Sequence, residues 1–208
     1  MQQGETFKLS RVILTSLLAA LIVIPLVLAY KYKEILAVVL SDKTETEQLI
    51  AEAVSPVADR KVYISCEPIS QSGNSDTTLT RGETPFIGRW ATPVILLTEE
   101  TCLSIDTFSN LTSKTDATTE QLQALITISH EAFHTTGVIQ EDVAECYAVQ
   151  RISDISRKLG ATIEEAEQVQ DRAVSLQRRT ASDEYITSEC RDNGPYDLDP
   201  ARAGSFPY

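Results

Sequence analysis

The strongest hydrophobic pattern in the chain is an uncharged run at residues 12–29, with basic residues on both sides of it. Eighteen residues span roughly 27 Å as a helix, close to the ~30 Å hydrocarbon core of a bilayer. A cleaved signal peptide is the alternative, but its apolar region usually holds only ~7–15 residues and ends at a small-x-small site. The run therefore predicts an uncleaved N-terminal transmembrane anchor.

Beyond this run, helical and strand periodicities follow one another. Apolar residues at helical spacing predict an amphipathic helix over residues 44–58. The alternation in residues 61–66 and the apolar run at 93–98 each predict a strand. The intervening stretch, 67–92, is rich in Ser, Thr, Gly and Pro and predicts a long loop with one irregular strand near Phe86. Trp90, in this loop, is expected to pack rather than to line a substrate groove.

Three helices are predicted in the second half of the chain, at about residues 118–136, 140–160 and 162–180. Threonine-x-x-glutamine and threonine-x-x-glutamate start boxes open the first and the third of them. Gly137 is well placed to cap the end of the first. The last stretch, 183–208, contains glycine and proline and predicts an irregular strap.

Composition and charge narrow the possible functions. A chain of 208 residues can form one ordinary domain plus a small extra segment. The net charge of −12 leaves no basic stripe to neutralise phosphates, which argues against a nucleic-acid partner. The sequence also lacks a nucleotide-binding loop, a nucleophile elbow and a calcium loop.

The four cysteines all follow the predicted anchor. An even number without C-x-x-C spacing favours two disulfides in an oxidising compartment, with four free thiols in a cytosolic domain as the alternative. A Cys66–Cys102 bridge would pin two neighbouring strands and close the long loop, and a Cys146–Cys190 bridge would tie the strap to the helices. The cysteines thus favour a cytoplasmic N-terminus, with the rest of the chain outside the cell membrane.

The clearest candidate for a catalytic or metal-binding motif is residues 130–134, His-Glu-Ala-Phe-His. These residues contain the only two histidines of the sequence. On the predicted helix, His130 and His134 lie one turn apart at the shoulder of an apolar stripe. Two imidazoles at i and i+4 can hold one metal ion from the same side, and Glu131 beside them can reach a metal-bound water.

A second indication of a metal site comes from the following predicted helix, where Glu141 and Glu145 lie on an otherwise apolar face. Carboxylates are rarely buried unless a cation or donor pairs with them. A zinc ion held by the two histidines would supply that pairing. The competing interpretation is a solvated helix that spells the motif by chance, with both acids in ordinary surface pairs.

The motif at 130–134 and the segment Glu141-Asp-Val-Ala-Glu145 resemble zinc-dependent metallopeptidases of the H-E-x-x-H clan, in particular small gluzincin-like proteins with a glutamate third ligand. With its two upstream cysteines and the segment Ala-Glu-Cys-Tyr-Ala at 144–148, the chain is also similar to membrane-anchored, mostly uncharacterised bacterial proteins. The resemblance covers about residues 62–150. It implies a small α+β domain with a short sheet beside the motif helix that could hold an extended peptide.

The resemblance implies a role for each residue of the site. His130 and His134 bind Zn²⁺, while Glu131 acts as general base on the zinc-bound water and passes the proton to the leaving amine. Glu141 is expected to be the third ligand and Glu145 to orient a histidine N–H, although these two glutamates could exchange roles.

The chain departs from one branch of that clan, the metzincins. It follows their pattern as far as Gly137, but Gln140 stands where they have a third histidine, and Met1 is the only methionine, so no methionine turn is possible. A tyrosine or arginine usually steadies the oxyanion in sites of this clan. Tyr147 and Tyr185 are the candidates here, although packing is the expected role of both.

We therefore expect an α+β chain: an N-terminal transmembrane helix followed by a small zincin-like domain, mostly helical with a short β-sheet. Its expected parts are a tail and anchor (1–34), a juxtamembrane helical region (35–60), a metallopeptidase-like domain (61–182) and the strap (183–208).

The expected function is that of a single-pass, membrane-anchored, extracytoplasmic zinc metallopeptidase acting on peptide or protein substrates, with no nucleotide. A second possibility is a non-catalytic anchored domain without metal, or with a structural zinc closed by both glutamates. A third is a zinc amidase acting on cell-wall peptides, which would use the same residues.

Overall fold

The computed structural model describes residue 21 and residues 32–66 and 81–201. The chain divides into two units, Met1–Ser41 and Asp42–Tyr208. Helix α1 (Lys33–Leu40) belongs to the first unit. All the other helices and strands named below belong to the second.

No helix in the described part of the chain is long and apolar enough to cross a membrane. The longest of these helices, Ile163–Thr180, carries charged residues in both its first and its last turn. The predicted fold class, which placed a transmembrane helix before the domain, is therefore corrected to a mostly helical chain with a small sheet. The run at 12–29, on which that prediction relied, lies outside the described residues apart from Leu21.

Helices dominate the second unit, and its strands are short. In chain order its elements are α2 (Glu45–Val54), β1 (Tyr63–Ser65), β2 (Gly82–Glu83), β3 (Phe86–Ile87), β4 (Trp90–Ala91), β5 (Val94–Leu97), α3 (Glu99–Ser109), α4 (Thr119–Thr135), α5 (Glu141–Gln150), α6 (Ile152–Lys158) and α7 (Ile163–Thr180). Two 3-10 turns, Lys114–Asp116 and Asp183–Tyr185, lie between and after these helices.

The helix starts predicted from the threonine boxes are confirmed. The Thr118 hydroxyl accepts a hydrogen bond from the Gln121 N–H, and the Gln121 side chain accepts one from the Thr118 N–H. Thr162 and Glu165 repeat the arrangement at the start of α7. These bonds satisfy N–H groups that have no partner inside the helix. Gly137 follows the end of α4 with φ +98°, in the left-handed region that glycine enters without strain.

Two helical segments differ from the prediction. The single helix expected over 140–160 is divided into α5 and α6 at Arg151, whose φ of −110° and ψ of 3° are not helical. Ile152 and Ile155 on α6 are fully buried, and this packing is not visible in a local pattern. Helix α3 was not predicted. It starts at the Thr98 cap and buries Phe108.

The sheet has the order β1-β5-β2, so β2 is an edge strand. β1 pairs with β5 in parallel, and β2 pairs with β5 antiparallel, with Gly82 opposite Leu97. β3 and β4 form a separate hairpin. β1, β3 and β5 lie where strands were predicted. β2 and β4 lie in the stretch predicted as loop, because strands of two residues are too short to carry a detectable alternation.

Helix α4 lies at the centre of this unit and packs against α3, α5, α7 and the sheet. Leu125 and Ile128 are fully buried. The polar residue Ser129 is buried as well, and its hydroxyl donates to the Ala148 carbonyl on α5 at 2.9 Å. The motif helix is therefore braced from several sides.

Two disulfides connect the parts of this unit, and they join the cysteine pairs that the sequence favoured. Cys66–Cys102 joins the end of β1 to the first turn of α3, with the Cα atoms 6.0 Å apart. Cys146–Cys190 joins α5 to the C-terminal strap, with the Cα atoms 5.6 Å apart.

Candidate metal centre

The two histidines project from the last turns of α4 toward the same point. They are separated by one helical turn, their ring centroids lie 4.5 Å apart and the ring planes are nearly perpendicular. His130 is 7% exposed and His134 6% exposed. Two buried imidazoles on one face of a helix can approach one ion together.

Glu141 meets both rings from the start of α5. The turn at Gly137 reverses the chain, and Glu141 Oε2 then lies 2.9 Å from His130 Nε2 and 3.3 Å from His134 Nε2. The three ligand atoms lie within 4.8 Å of one another and can hold a metal ion. Two ligand atoms ~2.1 Å from a tetrahedral zinc are about 3.4 Å apart, so a small outward movement of Glu141 would admit the ion.

The other nitrogen of each ring is fixed by a separate partner. His134 Nδ1 lies 2.6 Å from the Val138 carbonyl oxygen. Since a carbonyl can only accept, Nδ1 carries the hydrogen and Nε2 of the neutral ring presents a lone pair. His130 Nδ1 lies 2.8 Å from Glu145 Oε2, which sets its tautomer in the same way. With both rings neutral, two Nε2 lone pairs would face one carboxylate oxygen and repel it, so either a proton on a ring nitrogen or a metal ion must lie between them.

Both carboxylate oxygens of Glu145 have hydrogen-bond partners. Oε2 faces His130, and Oε1 accepts a hydrogen bond of 2.8 Å from Gln177 Nε2 on α7. The side chain is only 10% exposed, whereas Glu141 lies at the mouth of the site with its side chain 45% exposed. Glu141 can thus approach an ion held by the histidines, while Glu145 would first have to leave His130 and Gln177.

The charges of this cluster are strongly coupled. Burial by itself lowers the pKa of His130, but its hydrogen bonds with Glu141 and Glu145 outweigh burial and raise the pKa to about 10. The same hydrogen bond from His130 holds the pKa of Glu141 below its ordinary value. Without metal, a proton on His130 therefore compensates the surrounding carboxylates, and a metal ion would replace that proton.

Glu131 lies beside the cluster at 6% exposure. Burial raises the pKa of its carboxyl group, because the charged form loses solvation. Thr84, between β2 and β3, donates a hydrogen bond of 2.8 Å to Glu131 Oε2. A carboxylate with a raised pKa next to a candidate metal-binding cluster is suited to take up and release a proton.

All of these side chains line one open cleft of about 650 Å³. Its floor is the exposed side of α4. One wall is formed by β2 and β3, and the other by the end of α7 and the residues that follow it, up to Tyr185. A cleft of this volume is typical of small-molecule and peptide sites.

Two aromatic side chains, Tyr185 and Phe86, lie in the cleft next to the histidines. The Tyr185 ring lies in the cleft, 5.7 Å from the His130 ring, and burial raises its pKa, so the hydroxyl stays protonated. Phe86 stands edge-on to His134 at 6.2 Å.

Tyr147 instead packs between Phe133 and Tyr196, away from the cleft. Trp90 was predicted to pack, and this was wrong: it is 73% exposed at the β3–β4 hairpin.

Four partners of the site were not identified from the sequence: Gly82, Thr84, the Val138 carbonyl and Gln177. Val138 follows the motif directly, so a backbone acceptor there could have been considered. Thr84 and Gln177 lie 47 and 32 residues from the glutamates they contact, and no local pattern joins them.

Comparisons of the chain with protein-family models, with curated proteins and with solved structures found no match. What the protein does must therefore be inferred from its own residues.

Proposed function

We propose that this protein is a zinc-dependent peptidase of the metalloendopeptidase type, which hydrolyses peptide bonds with water. The observation that carries the proposal is the convergence of His130 Nε2, His134 Nε2 and Glu141 Oε2 on one point, with Glu131 beside them in an open cleft. Two imidazoles and one carboxylate are the donor set of many catalytic zinc sites.

The number of available ligands favours a catalytic over a structural ion. Structural zinc sites are closed by four protein ligands, whereas catalytic sites keep a position for water or substrate. Glu145, the side chain that could close the site, is held by His130 and Gln177. Three ligands and one open position remain.

Each residue of the site has its own role in this reaction. A bound zinc ion supplies Lewis acidity, lowering the pKa of water and polarising the scissile carbonyl. Glu131 takes the proton of the attacking water and delivers it to the leaving amine nitrogen. Glu145 and the Val138 carbonyl hold the two imidazoles in the tautomer that leaves each Nε2 free for the metal. The Tyr185 hydroxyl can donate to the oxyanion that develops in the transition state.

The shape of the cleft favours an extended peptide as substrate. β2 is the edge strand on one wall, and the Thr98 N–H donates to the Arg81 carbonyl. In an antiparallel pair the next residue, Gly82, then directs its backbone groups away from β5. A peptide in the cleft can pair with this edge as an added strand. The two disulfides further support an oxidising compartment.

The test is the zinc content and peptide hydrolysis of the full-length chain. The wild type is expected to bind one zinc per chain and to cleave unstructured peptides, with both zinc and activity lost in Glu141→Ala. Glu131→Gln should keep the zinc and lose at least ~10²-fold in kcat, because only the base is removed. Glu164→Gln, an exposed position at the start of α7, is the matched control and should behave like the wild type.

A wild type that is folded but binds no zinc would refute the proposal. A structural site would be indicated if the wild type binds zinc but hydrolyses no peptide, and if zinc is lost from both Glu141→Ala and Glu145→Ala. Cleavage restricted to cell-wall peptides would assign the same chemistry to an amidase.

A further inference from the structure

The carboxylate of Glu131 is held by a residue that lies far away in the sequence. The Thr84 hydroxyl is 2.8 Å from Glu131 Oε2 and 3.0 Å from the backbone carbonyl of the same residue. Thr84 is itself buried, at 5% exposure. Among the described residues, Thr84 is the only group that donates a hydrogen bond to this carboxylate. We propose that Thr84 is a positioning residue, which fixes the orientation of the Glu131 carboxylate for proton transfer.

A fixed donor is needed because the terminal torsion of a glutamate is soft. Rotation about its last bond has broad, roughly two-fold preferences, so the side chain alone does not determine where each oxygen points. With Oε2 held by Thr84, the oxygen that remains free for the proton of the attacking water is Oε1. Errors of about 1 Å in such a group can cost about 10²-fold in rate.

The segment that carries Thr84 is held in place independently of Glu131. The Arg81 carbonyl accepts hydrogen bonds from the Thr98 N–H at 3.1 Å and from the Thr101 hydroxyl at 3.0 Å. These two threonines start α3, which the Cys66–Cys102 disulfide ties to β1. In addition, Pro85 restricts Thr84 to an extended backbone. The hydroxyl is therefore presented from a rigid edge of the sheet.

Gly82 makes this close approach possible. A Cβ atom at residue 82 would lie 2.9 Å from Thr127 Cγ2, 3.0 Å from Glu131 Cγ and 3.0 Å from Leu97 Cδ2. A side chain there would collide with these three side chains, so either they, with Glu131 among them, or the strand β2 would have to shift. The glycine and the threonine together thus bring the edge strand into contact with the base.

This inference rests on the proposed function, and the experiment separates the two. In the full-length, zinc-loaded chain, Thr84→Val replaces the hydroxyl by a methyl group of similar size, and Thr84→Ser keeps the hydroxyl. Thr92→Val is the matched control, since Thr92 is also buried but its hydroxyl accepts a hydrogen bond from the Val94 N–H. For each variant, bound zinc, the melting temperature, kcat and KM are measured, and the crystal structure is determined.

We expect Thr84→Val to keep one zinc per chain and a KM within a few-fold of wild type, while kcat falls about 10- to 100-fold. Thr84→Ser should recover most of kcat, and Thr92→Val should lose little. In the crystal structure of Thr84→Val, the Glu131 carboxylate should turn away from its wild-type orientation.

A folded, zinc-loaded Thr84→Val with wild-type kcat and an unmoved Glu131 carboxylate would overturn the positioning role while leaving the peptidase proposal intact. If even the wild type cleaves no peptide, the peptidase proposal fails. The structures then decide the remaining point: a carboxylate that turns only in Thr84→Val supports the positioning role, and one that is unchanged refutes it.

Discussion

The contact between Glu145 and His130 can be tested by two substitutions that remove it in steps. Glu145→Gln keeps an oxygen that can accept from His130 Nδ1 at the present 2.8 Å, but it removes the negative charge and places an NH2 group opposite Gln177 Nε2 in place of the second oxygen. Glu145→Ala removes the acceptor altogether and also deprives Gln177 Nε2 of its 2.8 Å partner. If Glu145 orients and polarises His130, zinc affinity should fall in the order wild type, Gln, Ala.

The magnitudes follow from the role of such a residue. Losing a partner that orients a metal-bound histidine typically costs 10- to 100-fold in metal affinity. We expect about 10-fold for Glu145→Gln, roughly 1.4 kcal/mol, and up to about 100-fold for Glu145→Ala, roughly 2.7 kcal/mol. Glu145→Ala should also lower the free energy of unfolding by about 1–3 kcal/mol, because the buried Nδ1–H of His130 loses its acceptor and Gln177 Nε2 loses its 2.8 Å hydrogen bond to this side chain.

The assay is competition for zinc against a chromophoric chelator at fixed pH and ionic strength, with circular dichroism to confirm folding. Glu141→Ala serves as the reference for loss of a ligand and should bind zinc far more weakly than Glu145→Ala. Zinc affinity of Glu145→Ala equal to wild type would refute the orienting role. Nearly abolished binding in Glu145→Ala with only a modest loss in Glu141→Ala would exchange the two glutamates.

Three further predictions follow from the same site. Tyr185→Phe should lower kcat about 10- to 100-fold with zinc content and KM unchanged, and an unaltered kcat would remove its hydroxyl from the mechanism. Replacing Cys146 and Cys190 together by serine should lower the free energy of unfolding by up to about 4 kcal/mol in denaturant titrations, given the separation of 44 residues, and a loss near zero would contradict this. In the metal-free chain, the pKa of His130 is raised to about 10, so its contribution to stability should be complete below pH ~6.5 and be lost as pH rises toward 10, at about 1.4 kcal/mol per pKa unit at most. Saturating zinc, which binds the neutral imidazole, should remove this loss, whereas the same decline with and without zinc would contradict the prediction.

The helix that carries the motif was predictable because its determinants are local. The Thr118 box, the apolar stripe and Gly137 lie within one stretch of chain and specify where α4 starts and ends. Helical geometry then places residues four apart on one face whatever surrounds them. The predicted membrane helix was a different kind of inference, from a run that lies almost wholly outside the described residues, and no described helix supports it.

The division of 140–160 and the presence of α3 were not predictable for the opposite reason. Both depend on which side chains the rest of the fold buries, as the fully buried Ile152 and Phe108 illustrate. The edge strand β2 was missed because two residues carry no period.

By itself, the sequence determined the chemical components of the site: two histidines one turn apart, a glutamate between them, two more glutamates after a glycine turn, and cysteines spaced for two bridges. These depend on covalent geometry and short-range periodicity. Only the tertiary structure decided that Glu141 faces both Nε2 atoms while Glu145 lies behind His130, and that Thr84 reaches Glu131 across 47 residues. Such contacts arise from the packing of α4 against α5, α7 and the sheet edge, which no local stretch of the chain encodes.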